Sequence, residues 1–243
     1  MSEMRNPPND SSALDPKDVI AARVAEEIMP GMLVNLGIGL PSRVANFMAG
    51  AEDVFFQAEN GVIGLGARPP EGMEDPFLTD AGGGFVSAVP GAASIDSAMS
   101  FALIRGGHLD MTVLGGLEVD ARGYLANWTV PGKMVPGMGG AMDLVSGARR
   151  VVVAMTHTAK GAPKIKPTCD LPMTAMRRVD LIVTEMAVIQ PTDEGLVLRE
   201  RGPGVPLEVI LAATKAKLVV NGEPPEMRLK RLAAQALQTE IGS

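Results

Sequence analysis

Short apolar runs rich in β-branched residues punctuate the chain: Met32-Leu33-Val34, Val54-Phe55-Phe56, Met111 to Leu114, Val151 to Met155, Leu181 to Val183 and Leu218 to Val220. They are continuous rather than alternating, the pattern of strands covered on both faces. Between them apolar residues return at helical spacing. Asp15-Pro16-Lys17-Asp18 offers an N-cap, a proline at the first helical position and an acid in the first turn. Ile20, Val24 and Ile28 then recur on one face until Pro30-Gly31. A second helix is predicted after Ser94 as its cap, with Ile95, Ala98, Met99, Ala102 and Leu103 as a one-sided stripe and Gly106-Gly107 as its stop. Polar breaks at Glu118, Asp120 and Arg122-Gly123 predict an antiparallel hairpin between Gly115 and Asn127. Buried runs alternating with amphipathic helices predict an open, layered α/β/α domain with a mostly parallel sheet.

Length allows one large domain of this kind in 243 residues. The expected organisation is a flexible N-terminal tail over residues 1–13, the domain over 14–221, and a tail or short helix over 222–243. Only 3% of residues are aromatic, so core volume must come from aliphatic side chains and the 16 methionines. A net charge of −6 argues against nucleic acid or an anionic membrane surface as the main partner. The single cysteine, Cys169, excludes an internal disulfide framework and fits a reducing compartment. No apolar stretch reaches the ~18 residues of a membrane-spanning helix, and the expected location is the cytoplasm.

Chemistry concentrates in three glycine loops. In Asn35-Leu36-Gly37-Ile38-Gly39-Leu40-Pro41-Ser42 the glycines follow a strand and open a helix, where free backbone amides favour an anion. In Gln57-Ala58-Glu59-Asn60-Gly61-Val62-Ile63-Gly64-Leu65-Gly66 a lone acid sits between a buried strand and a run of glycines. Glu59 there reads as a ribose clamp, a general base, a covalent nucleophile or a polar strand end. The third loop, Pro136-Gly137-Met138-Gly139-Gly140-Ala141-Met142-Asp143, exposes consecutive amides suited to a phosphate or an oxyanion. The first loop with Glu59 about 20 residues on is also the outline of a dinucleotide fingerprint. Ser42 in place of the third glycine and Pro41 inside the loop count against it. Lys160, Lys164 and Lys166 form a basic patch, and Lys160 is the candidate phosphate contact. His108 and His157 lack a second ligand at metal spacing, Cys169 reads as a small buried hydrophobe, and Asp80 as a turn residue, so no metal is expected.

The stretches "NLGIGLPSRVANF", "AENGVIGLG", "GGHLDMTVLGGLEVDARGYLANW", "PGMGGAMDLVSGA" and "KIKPTCDLPMT", in this order from about Asp15 to Val220, resemble the β subunit of family I coenzyme A transferases of the 3-oxoacid type. The resemblance implies that Glu59 is a nucleophile carrying a glutamyl-coenzyme A thioester. It implies that Asn35 orients the reacting groups, and that Gly139 and Gly140 belong to a loop that closes on coenzyme A, Gly140 lending its amide to the oxyanion. Gly37, Gly39, Gly137 and Lys160 join them as expected contacts of coenzyme A, which is a substrate, so no cofactor is implied. An α subunit is the implied partner, in an α2β2 assembly, with an acyl-coenzyme A and a short 3-oxoacid as substrates. Acetoacetate, 3-oxoadipate and a short fatty acid stay equally open. The rival readings are a dinucleotide-binding dehydrogenase and a non-catalytic subunit that keeps only the fold.

Overall fold

The computed structural model describes residues 15–48, 53–132 and 138–230. In chain order its first elements are helix α1 (Pro16–Ala25), β1 (Leu33–Leu36), a 3₁₀ helix (Pro41–Phe47), β2 (Phe55–Gln57), β3 (Val62–Leu65) and β4 (Ala88–Ser94). Then come α2 (Ser97–Arg105), β5 (Met111–Leu114), β6 (Glu118–Asp120), β7 (Leu125–Ala126), α3 (Ala141–Gly147) and β8 (Arg150–Ala154). The rest comprises β9 (Thr158–Ala159), β10 (Ala162–Pro163), β11 (Ile165–Lys166), β12 (Leu181–Val183), β13 (Ala187–Thr192), β14 (Gly195–Arg201), α4 (Leu207–Ala213) and β15 (Leu218–Val219).

Ten strands make one sheet in the order β15-β14-β13-β12-β8-β5-β1-β2-β3-β4. Its centre, β12-β8-β5-β1-β2, is parallel and consists of the predicted apolar runs. Antiparallel pairings extend it on both sides, β2-β3-β4 at one edge and β12-β13-β14 toward the other. The predicted hairpin is β6–β7, which joins β11 in a separate three-stranded sheet.

Alternation along each central strand divides the interior into two layers. Val151, Val153, Ile182 and Ile189 pack with Ile104 of α2, Leu144 and Val145 of α3 and Ile210 of α4. Val34, Met111, Val113, Val152 and Ala154 face α1 and the 3₁₀ helix. Truncating a fully buried Ile or Leu in either layer to Ala costs about 2–5 kcal/mol. α1 is additionally pinned to β14, because buried Arg23 donates to both carboxylate oxygens of Glu200 at 2.7 and 2.8 Å.

Five local expectations are corrected. α1 stops at Ala25, because Glu27 and Ile28 donate three residues back, to Val24 and Ala25, and tighten the last turn. α2 is capped by Asp96 and not Ser94, the Asp96 carboxylate accepting from the Met99 amide at 2.7 Å. Its inward residues are Ser100, Phe101 and Ile104, while Ala98, Met99 and Ala102 of the predicted stripe face outward. Residues 141–143 are the first turn of α3 and not loop. At the C-terminal boundary, residues 222–227 do not leave the domain. Met227 donates to the Arg201 carbonyl at 2.8 Å and its side chain is buried against the α1 layer. The predicted tail of residues 1–13 and the last residues, 231–243, lie outside the described residues.

Candidate active site

The carboxyl ends of β1, β2 and β5 converge under the face carried by α2 and α3. Pairing puts Asn35 level with Gln57 on one side and with Thr112 on the other. Each is a polar residue in an apolar strand, and the shared register turns three isolated exceptions into one buried row. Asn35 and Thr112 are 0% exposed and Gln57 is 1% exposed. Asn35 Nδ2 donates to Gln57 Oε1 at 3.0 Å, to the Gln57 carbonyl at 3.1 Å and to Glu59 Oε2 at 3.3 Å. Thr112 Oγ1 donates to Asn35 Oδ1 at 3.1 Å, and Gln57 Nε2 donates to Ser100 Oγ on α2 at 2.8 Å.

Glu59 stands at the tip of the tight turn between β2 and β3. The turn is closed by the Ala58 amide on the Val62 carbonyl at 2.9 Å and by the Gly61 amide on the Ala58 carbonyl at 3.0 Å. Glu59 is half-buried. Across from it lies Gly140, the N-cap of α3, where a Cβ atom would stand 3.2 Å from Glu59 Cγ and 3.3 Å from the Phe101 ring. Glycine therefore lets the start of α3 close to van der Waals distance of the carboxylate stem. One oxygen of Glu59 is anchored and the other makes no hydrogen bond among the described residues. A carboxylate so placed is held in position yet retains free lone pairs.

Other predicted site residues are distributed less uniformly. Gly37 does border the site, but its amide is spent on the Val113 carbonyl at 2.8 Å and offers nothing to a phosphate. Gly39 is exposed, with φ of 87°. Gly139 is exposed beside Gly140, whereas Gly137 lies outside the described residues. Lys160 is at the exposed tip of the β9–β10 hairpin, and no hydrogen bond links it to Glu59, Asn35 or Gly140. Its neighbours do not complete a phosphate patch. Lys166 is bound by Glu118 and Asp170, and Lys164 is half-buried. Gly64 and Gly66 admit the chain's own next strand and not a ligand, since Cβ atoms there would fall 2.9 Å from Ala92 and 2.4 Å from Ser87 Oγ. Asp80 caps its own loop, accepting from the Gly82 and Gly84 amides at 2.8 Å.

Sequence reasoning missed Gln57, Ser100 and Thr112. The available signal was a polar residue inside each of three apolar strands or helices, but only strand register shows that they meet. A cavity of about 440 Å³ lies elsewhere, lined by Arg23, Glu27, Arg150 and Glu200, which pair with one another, and holds none of these residues. Among the described residues no three His, Cys, Asp or Glu side chains are grouped to hold a metal ion, and no helix is long and apolar enough to cross a membrane. Burial pushes the Cys169 thiol up to about 12, so it is protonated and unreactive at neutral pH.

His157 is buried three residues beyond β8 between two threonines, Nδ1 2.9 Å from Thr184 Oγ1 and Nε2 2.9 Å from Thr214 Oγ1. Thr214 commits its own proton to the Ile210 carbonyl at 2.7 Å, so Nε2 carries the hydrogen and donates, and Nδ1 accepts from Thr184. Burial, with Lys164 nearby, lowers the His157 pKa from 6.5 to about 4. The unfolded chain thus binds a proton that the fold refuses between these values. Stability present above pH 6.5 is expected to fall as pH drops toward 4, by up to about 3 kcal/mol. Chemical denaturation of wild type and His157→Gln across this range checks it, the variant showing the flatter profile.

The geometry gathers a half-buried carboxylate, a buried polar row and the glycine-fronted start of a helix in one place. The sequence pattern of the family described as "Coenzyme A transferase" matches residues 17–213, and the chain belongs to that family. It is 52% identical to the beta subunit of the acetate CoA-transferase of Escherichia coli K12 over 86% of this chain and 96% of that one. It is 46% identical to one of the subunits of the succinyl-CoA:3-ketoacid coenzyme A transferase of Helicobacter pylori 26695, over 84% of this chain and 99% of that one. Among solved structures, an acyl-CoA transferase of Escherichia coli O157:H7 superposes with a TM-score of 0.73 at 24% identity, covering 89% of this chain. This chain spans only 44% of that longer one.

Proposed function

We propose that the chain is the β subunit of a cytoplasmic coenzyme A transferase that moves coenzyme A between an acyl-coenzyme A and a short carboxylic acid, a 3-oxoacid or acetate. The observation that carries this reading is Glu59, anchored through one oxygen to buried Asn35 and faced by Gly140. The free oxygen attacks the acyl thioester carbonyl, forming a mixed anhydride and releasing coenzyme A thiolate. The thiolate attacks the glutamyl carbonyl, giving the glutamyl-coenzyme A thioester and freeing the first acid as its carboxylate. The second carboxylate then reverses both steps. Each tetrahedral intermediate bears an oxyanion, for which the amide at Gly140 is the assigned donor; one such donor is worth about 3 kcal/mol.

The partner reading is an α chain seated next to Glu59, as the names of the relatives, each one part of a larger enzyme, suggest. No residue from 66 to 99 is buried, although the segment is ordered into the β3–β4 loop, strand β4 and the first turn of α2. Phe77 is 95% exposed, Met73 73% and Met99 54%. Asn60 ties this surface to the active-site turn by donating to the Thr79 carbonyl at 2.8 Å. An apolar surface of this extent supports a protein neighbour. The isolated chain is expected to fold without transferase activity, and adding the α chain to restore it. Phe77→Glu combined with Met99→Glu is expected to weaken association at least about tenfold. Titration followed by sedimentation, and assays with acetate, acetoacetate and 3-oxoadipate as acceptors, test both points. Full turnover by the isolated chain would contradict the reading.

A further inference from the structure

Asn35 has a choice of two amide orientations, and the residues around it remove that choice. Its Nδ2 faces three acceptors, the Gln57 carbonyl, Gln57 Oε1 and Glu59 Oε2, within 3.3 Å. A flipped amide would aim Oδ1 at the same three oxygens, all repulsive. Thr112 completes the arrangement from the opposite strand by donating to Oδ1. Gln57 is locked in turn, because Ser100 Oγ takes its Nε2 hydrogen and leaves Oε1 for Asn35. All four side chains are at most 1% exposed, so water cannot substitute for any of them.

We propose that Thr112 and Gln57, the latter held by Ser100, are positioning residues for the transfer reaction, gripping Asn35 from both sides so that it holds Glu59 at its attacking position. The assignment rests on the reading of Glu59 as the nucleophile. Thr112 does not touch the carboxylate; its effect passes through Asn35. Removing its hydroxyl leaves Asn35 Oδ1 buried without a donor and loosens the amide's hold on that side. The anchored oxygen of Glu59 then loses its fixed place, and misplacement of about 1 Å costs on the order of 100-fold in rate. The loss falls on the chemical step and spares binding.

The test uses the complex reconstituted with its α chain, and single-turnover formation of a borohydride-reducible adduct on Glu59 from acyl-coenzyme A. Thr112→Val, which keeps the shape, is expected to slow adduct formation roughly 10- to 100-fold, with KM for the acyl-coenzyme A little changed. Thr112→Ser retains the hydroxyl and is expected to stay within about threefold of wild type, given the modest cost of one lost methyl. In an Asn35→Ala background, Thr112→Val is expected to change the rate by no more than about twofold, because its route to Glu59 is already gone. Should Thr112→Val not fold, Gln57→Met runs the same cycle. An unaltered rate in the folded variant, a Thr112→Ser loss as large as that of Thr112→Val, or losses that simply add in the Asn35→Ala background would overturn the proposal. Absence of any adduct on Glu59 in the wild-type complex would instead overturn the nucleophile reading, and the positioning role with it.

Discussion

Replacing Glu59 by glutamine is expected to lower turnover of the reconstituted enzyme by a factor on the order of 10⁴ or more, while leaving thermal stability nearly unchanged. Loss of a covalent nucleophile that acts in concert with its neighbours has effects of this size. Glutamine keeps the length of the side chain, and its Oε1 still accepts from Asn35 Nδ2, which lies 3.3 Å from Glu59 Oε2. What it lacks is the anionic oxygen proposed to attack the thioester. Because residue 59 is half-buried at a turn tip and glutamine keeps its shape, little packing is disturbed. Steady-state assays and thermal melts on the same preparations check both halves. An active Glu59→Gln enzyme would contradict the mechanism, and an unfolded one would contradict the structural placement.

Gly61→Ala is expected to be the most destabilising single substitution near the site. Its φ is 118°, outside the range that side chains other than glycine adopt, and a Cβ atom there would stand 2.0 Å from the Ile95 carbonyl oxygen. That carbonyl belongs to backbone, so no rotamer change relieves the overlap. The Ile95 amide also donates to the Gly61 carbonyl at 2.9 Å, binding the turn to the entrance of α2. Strain and overlap together are expected to cost about 3 kcal/mol or more. Because Glu59 is two residues away, folded material should also lose activity. Urea denaturation with a parallel assay measures both, and a variant as stable as wild type would show that the turn is not clamped as described.

The parallel centre of the sheet was legible because its strands are continuous aliphatic runs, the pattern of strands buried on both faces. The antiparallel additions were not. β4 reads Ala-Val-Pro-Gly-Ala-Ala-Ser, poor in β-formers and interrupted by Pro90, which an edge strand tolerates. β13 contains Pro191 and β14 ends in Arg199-Glu200-Arg201, so neither resembles a strand by composition; pairing across the Asp193-Glu194 turn overrides local preference. The outward stripe of α2 reads as a core face, because apolar spacing alone does not say whether the stripe turns inward or outward. At the site, Glu59, Asn35 and Gly140 stood out through their glycine-rich surroundings and the family resemblance, and the structure brings these three together. Gln57, Ser100 and Thr112 were silent because their meaning arises only when β1, β2 and β5 align in register.

In the proposed mechanism Glu59 becomes covalently joined to coenzyme A during turnover. The reconstituted complex, incubated with an acyl-coenzyme A and no acceptor acid, is treated with borohydride, which reduces a thioester to an alcohol under conditions that spare a free carboxylate. Peptide mass spectrometry should find the reduced side chain on the peptide containing residues 57–66, at Glu59 and nowhere else, with coenzyme A released in equal amount. Reduction at a different residue, or none despite active transfer, would contradict it.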